Sequence, residues 1–151
     1  MKMICNNAEM TGRLGEKLAR LLFIGDTVVL DGPMGAGKSE LARGIARGLN
    51  IDGPIPSPSF TILNCYRSGR VPLYHFDWWR ISDESELYDI GADEFIGSDG
   101  ICLIEWAQNG PDLVPSCYLR IRIVPLDDER REITLIPEGG FRTLQMKEGW
   151  E

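Results

Sequence analysis

The sequence predicts an α/β domain over residues 1–136, built on a central, mixed and partly antiparallel sheet flanked by helices, with a tail over residues 137–151. Three observations carry that expectation. A short β-branched apolar run, Thr27-Val28-Val29-Leu30, leads into a glycine-rich loop and then into a segment with helical periodicity. Ile101-Cys102-Leu103-Ile104 is a second continuous apolar run, as expected of a strand buried on both faces. Leu119, Ile121 and Ile123 alternate with Arg120 and Arg122, the pattern of a strand with one wet face.

The elements follow in chain order. Leu14, Leu18, Leu21 and Leu22 share one face of a helix expected over residues 11–23, which Gly25-Asp26 stops. Residues 27–30 form the first expected strand, and the glycine loop follows it directly. Leu41, Ala42, Ile45, Ala46 and Leu49 then mark one face of a second helix. Pro54, Pro56 and Pro58 exclude regular helix from the next stretch and leave it few buried anchors, so it reads equally as a mobile segment or as a static proline-rich connector. Residues 61–66 and 71–76 read as a hairpin joined by Arg67-Ser68-Gly69-Arg70. Ser82 is the expected cap of a short helix over residues 83–89, with Ser85 completing only half of a capping box. Residues 93–96 add a helical turn. The strand at residues 101–104 ends on Glu105, and residues 119–123 and 132–136 supply the last two strands. From Pro137 the chain is polar and glycine-containing, and reads as a loose end.

Composition narrows the function. With 23 acidic against 16 basic residues the formal charge is −7, which opposes a broad electrostatic grip on DNA, RNA or an anionic membrane. No apolar run approaches the roughly 18 residues of a membrane span, and Asn6, Asn7 and Glu9 stand where a secretory signal needs an apolar stretch. Cys5, Cys65, Cys102 and Cys117 are widely spaced with no Cys-x-x-Cys pair, as reduced, buried thiols of a cytoplasmic protein would be. Only Lys2, Lys17, Lys38 and Lys147 are lysines, so a lysine inside a glycine loop stands out.

Residues 32–39, Gly-Pro-Met-Gly-Ala-Gly-Lys-Ser, fit Gly-x-x-x-x-Gly-Lys-[Ser/Thr] without mismatch. Glycines let the backbone curl so that its N–H groups point at phosphate oxygens, and the following helix adds its positive end. Lys38 is expected to face solvent in the empty protein and to neutralise the outer phosphates, while the Ser39 hydroxyl ligates magnesium. Gly35, Ala36, Gly37, Lys38, Ser39 and Glu40 are the expected contacts to ATP. The setting predicts a fold like that of P-loop NTPases. Magnesium takes near-octahedral oxygen ligands, so an acid at the end of a buried strand should complete its shell. Asp77 and Glu105 both fit, one as metal ligand and one orienting the attacking water. His75, two residues before Asp77, reads as a hydrogen-bonded structural residue. Trp78, Trp79 and Trp106 read as packing, and Arg80, Arg130 and Arg131 as solvated strand-edge arginines able to reach phosphate.

Absences exclude neighbours. There is no Asn-Lys-x-Asp or Asp-x-x-Gly motif of Ras-like GTPases, and no Leu-Ser-Gly-Gly-Gln signature of transporter ATPases. A small-metabolite kinase and a nucleotide-gated binding subunit with incidental hydrolysis remain as alternatives. A kinase would lose ATP faster with a small acceptor, and a pure gate would need binding alone.

The glycine loop, then Ser57-Pro58-Ser59-Phe60-Thr61, His75-Phe76-Asp77-Trp78-Trp79-Arg80, Glu86-Leu87 with Gly91, and Ile104-Glu105-Trp106 occur in the order seen in the TsaE family. The chain resembles that family from about Thr11 to about Leu135. The resemblance implies a slow, magnesium-dependent ATPase that works with the TsaB and TsaD proteins in threonylcarbamoyladenosine modification of tRNA. It implies contact with tRNA only through that complex, and no transfer of the group by this subunit itself. Ser39 and Glu105 would hold magnesium, Asp77 would act at the metal or the water, and Ser59 would sit in a switch-like loop. Thr11 and Arg131 match positions expected near the nucleotide base. Ser39 and Ser59 stand where threonine is commoner, Trp78-Trp79 where Leu-Tyr is usual, and Ala107 where proline is common.

Overall fold

The computed structural model describes residues 1–147, 149 and 150; the tail positions 148 and 151 lie outside the described residues. Seven strands form one sheet: β1 (Lys2–Cys5), β2 (Thr27–Asp31), β3 (Leu63–Tyr66), β4 (Leu73–Asp77), β5 (Ile101–Glu105), β6 (Tyr118–Pro125) and β7 (Arg131–Glu138). Their spatial order is β1-β7-β6-β2-β5-β4-β3. The four inner strands β6, β2, β5 and β4 run parallel, and β1, β7 and β3 pair antiparallel at the two sides. The expected mixed sheet is therefore present, with a parallel centre.

Two long helices, α1 (Ala8–Ala19) and α2 (Lys38–Gly48), cover one face, where Leu14, Leu18, Leu41 and Ile45 are buried against Val28, Leu30, Leu103 and Ile121. The short helices α3 (Ser85–Asp89) and α4 (Ala92–Phe95) lie with the second cluster, around Phe76, Trp78, Leu87 and Ile104. Cores on both faces explain why β4 and β5 are buried at every position and why β5 reads as an apolar run. Among the described residues, no helix is long and apolar enough to cross a membrane.

Helices α1 and α2 approach closely because glycines face each other. A Cβ on Gly44 would fall inside the contact radius of the Gly12 carbonyl oxygen, and one on Gly15 would lie 2.5 Å from the Leu41 oxygen. Gly44→Ala should gain up to about 1 kcal/mol of helix propensity and lose about 1–3 kcal/mol to overpacking. A net fall in the urea midpoint is the expected result, and an unchanged or raised midpoint would show that the helices can separate freely.

Several sequence expectations shift. The phosphate loop follows the second strand, because β1 precedes α1 and pairs with β7, placing Met3 and Cys5 in the core. Helix α1 starts three residues early, at Ala8, since the Asn7 side chain accepts from the Met10 N–H and caps it. Helix α3 is capped by acids in place of Ser82: Glu86 Oε2 accepts from the Ser82 and Asp83 N–H groups, and Asp83 Oδ1 from that of Ser85. Cys65 and Cys117 are exposed, because β3 is an edge strand and Cys117 precedes β6; all four cysteines are free thiols. The break at residue 136 moves, because β7 continues to Glu138 and Phe141 and Leu144 enter the main core. Arg142 then donates to both carboxylate oxygens of Asp26, at 2.6 and 3.0 Å, and to the Leu21 carbonyl. The described part of the tail is thus an anchored segment.

Candidate nucleotide site

The loop at residues 32–39 leaves the carboxyl end of β2 and enters α2, so the amino end of α2 faces the ends of the parallel strands. Gly35 and Gly37 take φ of 78° and 102°, a region that side chains disfavour. The first amides of α2 have no partner within the helix, which leaves them free for an anion.

Beside this loop, β4 and β5 end on two acids in direct register, Asp77 against Glu105. Alternation along parallel strands sends His75, Asp77, Leu103 and Glu105 to the face that carries α2. A cavity of about 410 Å³ results, lined by Lys38, Ser39, Ser59, Asp77, Glu105 and Trp106 among others. Asp77 and Glu105 are each only 5% exposed.

The cavity is internally wired. Lys38 is buried, contrary to the solvent-facing expectation. Its Nζ donates to the Gly32 carbonyl at 2.9 Å, lies 4.0 Å from Glu105 Oε1 and sits 4.6 Å from the Trp106 ring centroid. The ammonium folds back because loop carbonyl, carboxylate and indole face together offer it more than the open mouth does. Ser59 Oγ donates to Asp77 Oδ2 at 3.2 Å, Ser57 Oγ lies 2.7 Å from Ser59 Oγ, and Asp77 Oδ1 accepts from the Trp79 N–H. His75 Nε2 lies 2.9 Å from Glu105 Oε2. Ile62 carries the proline loop back onto β4, its carbonyl accepting from the Asp77 N–H at 2.9 Å. It does so with φ at 67°, which β-branched residues seldom adopt.

Thr11 and Arg131 lie at an adjoining cavity of about 440 Å³, which shares Gly37, Glu40 and Arg131 with the first. Thr11 is buried, its hydroxyl donating to the Asn7 carbonyl. Arg131 is not a solvated strand-edge arginine: its Nε donates to the Ala36 carbonyl at 2.8 Å and its Nη1 to the Asp127 carbonyl. The turn that presents it is set by Asp127, whose carboxyl is held down to about 2 by hydrogen bonds from the Arg130 N–H and guanidinium. Arg130 is spent on that pair, and Arg80 stacks over Phe60, 4.5 Å from the ring centroid. Ala36 is fully buried, and its N–H donates within the loop to Pro33. Ser39 is exposed and Glu40 pairs with Arg43.

Sequence reading missed two aromatic residues. Trp78 is core, edge-on to Phe76, but Trp79 and Trp106 line the cavity with ring centroids 4.5 Å apart. Trp106 turns back over Lys38 because it takes φ of 59° immediately after β5. Closeness in sequence, of Trp106 to Glu105 and of Trp79 to Asp77, was the available signal.

A parallel-centred α/β sheet, with a Gly-x-x-x-x-Gly-Lys-Ser loop between strand and helix and two acids on neighbouring strand ends, defines a P-loop NTPase-like protein. Within that class the chain belongs to the TsaE family: the family model described as threonylcarbamoyl adenosine biosynthesis protein TsaE matches residues 5–133. It is 41% identical to the tRNA threonylcarbamoyladenosine biosynthesis protein TsaE of Bacillus subtilis (strain 168), over 88% of this chain and 83% of that protein. With the protein of the same name from Treponema pallidum (strain Nichols) it shares 39% identity, over 89% and 99% of the two chains. The crystal structure of Bacillus subtilis YdiB superposes with a TM-score of 0.79 at 34% identity, covering 93% of this chain and 86% of that one.

Proposed function

We propose that this chain binds ATP with magnesium at the glycine loop, hydrolyses it slowly alone, and acts in the cytoplasm with the TsaB and TsaD proteins. In that role it sustains threonylcarbamoyladenosine formation on tRNA, the biosynthesis for which its relatives are named. One observation carries the ATPase reading: Lys38, Ser39, Asp77 and Glu105 line a single cavity at the head of α2.

The donors fit the metal. Ser39, Asp77 and Glu105 offer hard oxygens, the type magnesium takes. Among the described residues no three His, Cys, Asp or Glu side chains form a metal cage, and magnesium at such sites is held by one or two carboxylates together with phosphate oxygens. Ser39 and Glu105 would hold it, and when bound it would neutralise charge on the phosphate oxygens. Lys38 would exchange the Gly32 carbonyl for phosphate oxygen, and the free amides of α2 would take the rest of that charge. Asp77, which accepts from Ser59 Oγ and the Trp79 N–H, would orient a water. The net charge of −7 suits a subunit that works on protein partners and reaches tRNA only through them.

The test is reconstitution with TsaB, TsaD, threonylcarbamoyl-adenylate and tRNA, counting modified tRNA per TsaD. Many turnovers only when this chain, ATP and magnesium are all present is the expected result. Equal multi-turnover yield without the chain, or without ATP, would overturn the proposal.

A further inference from the structure

His75 is the chain's one histidine, buried to 2% exposure in the middle of β4. It pairs in register with Leu103, two residues before Glu105 on the neighbouring strand. The imidazole thus stands beneath the Glu105 side chain, with Nε2 at 2.9 Å from Oε2. A carboxylate only accepts, so the ring nitrogen facing it carries the proton and donates. Nδ1 is then a buried ring nitrogen with no hydrogen-bond partner among the described residues. A buried polar atom without a partner costs about 1–3 kcal/mol, so a histidine serving as sheet filler is worse there than an apolar residue. Among the described residues, the one polar contact that the ring makes is the one to Glu105.

That contact decides what Glu105 can offer. With Oε2 held, Oε1 is the oxygen left for the cavity, and it lies 4.0 Å from Lys38 Nζ, beyond hydrogen-bond reach. Released from His75, the carboxylate is free to turn onto the ammonium and form a tight ion pair, which withdraws ligand and lysine together. We propose that His75 is a positioning residue: it pins Glu105 so that one oxygen faces the cation and Lys38 stays free for phosphate. The proposal rests on Glu105 being a magnesium ligand, and losses of such outer partners typically cost about 10–100-fold in metal affinity.

Two readouts test it, neither of them turnover. The first is the magnesium concentration that half-maximally strengthens ATP binding, measured by calorimetry in the wild type, His75→Leu, His75→Gln and Glu105→Gln. The leucine variant should need about tenfold more magnesium. Glutamine, whose amide can donate to Oε2, should recover most of that while losing comparable thermal stability. A leucine variant with unchanged magnesium dependence, beside a shifted Glu105→Gln, would overturn the role of His75 and leave the metal reading standing. No shift in Glu105→Gln would overturn both. The second readout is the nitrogen NMR spectrum of wild-type protein free of nucleotide, where a single imidazole gives an unambiguous signal and no variant has to fold. A proton on Nε2 is expected, and an Nε2 without one would overturn the proposal.

Discussion

Replacing Lys38 by alanine is expected to weaken ATP binding at least ten- to hundredfold while the protein stays folded. Hydrogen bonds to a charged group contribute about 1.5–3 kcal/mol each, which converts to that range. The ammonium is buried in the empty site, so the fold is not wholly indifferent to its loss. Removing it leaves the Gly32 carbonyl without that donor and takes the cation from the Trp106 face. Those two contacts together are worth roughly 2–4 kcal/mol, a lowered melting point and not a lost fold. Calorimetry of the variant checks the site: an unchanged dissociation constant would show that the loop is no phosphate cradle.

Glu105→Gln should lower ATP turnover by ten- to a thousandfold, about 1.4 to 4 kcal/mol on the barrier, while ATP binding falls only modestly. The surroundings sharpen this expectation. An amide keeps the hydrogen bond from His75 only by aiming its oxygen at the imidazole. That turns its NH₂ toward Lys38 and the cavity, where a cation would otherwise meet an oxygen. Asp77→Asn separates the roles of the two acids, since Asp77 Oδ2 accepts from Ser59 and Oδ1 from the Trp79 N–H. Whichever variant raises the magnesium needed for half-maximal activity marks the direct metal ligand. Wild-type rates in both, at limiting magnesium, would remove these acids from the site.

What was legible in the sequence is what local chemistry determines. The glycine loop is written in eight consecutive residues, and β2 and β5 in continuous apolar runs, because burial on both faces leaves no room for polar side chains. Glu105 could be found because it ends such a run, and Asp77 because it ends the more mixed Leu73-Tyr74-His75-Phe76. Strand β1 could not, since four residues including Lys2 hold no periodicity and become a strand only by pairing with β7. The grip of Arg131 on Ala36 spans 95 residues, and the burial of Lys38 depends on a left-handed turn at Trp106. Neither leaves a local trace. The tail misled because its glycines mark turns, while Phe141 and Leu144 enter a core assembled from the whole length of the chain.

The pairing of β1 with β7 also governs the order in which the molecule can be completed. The Met1 amino group and the Leu135 carbonyl meet across 134 residues, the longest closure in the sheet. Closing so long a loop costs entropy before its contacts return anything. On a ribosome, β1 emerges first and has to wait, unpaired, until β7 has left the exit tunnel. By then α1, the glycine loop and the parallel strands β2, β4 and β5 are all available to assemble, while Arg131, which grips the loop at Ala36, arrives only with β7. Until β7 arrives, β1 presents unpaired backbone groups along that edge, the kind of open edge that invites mispairing.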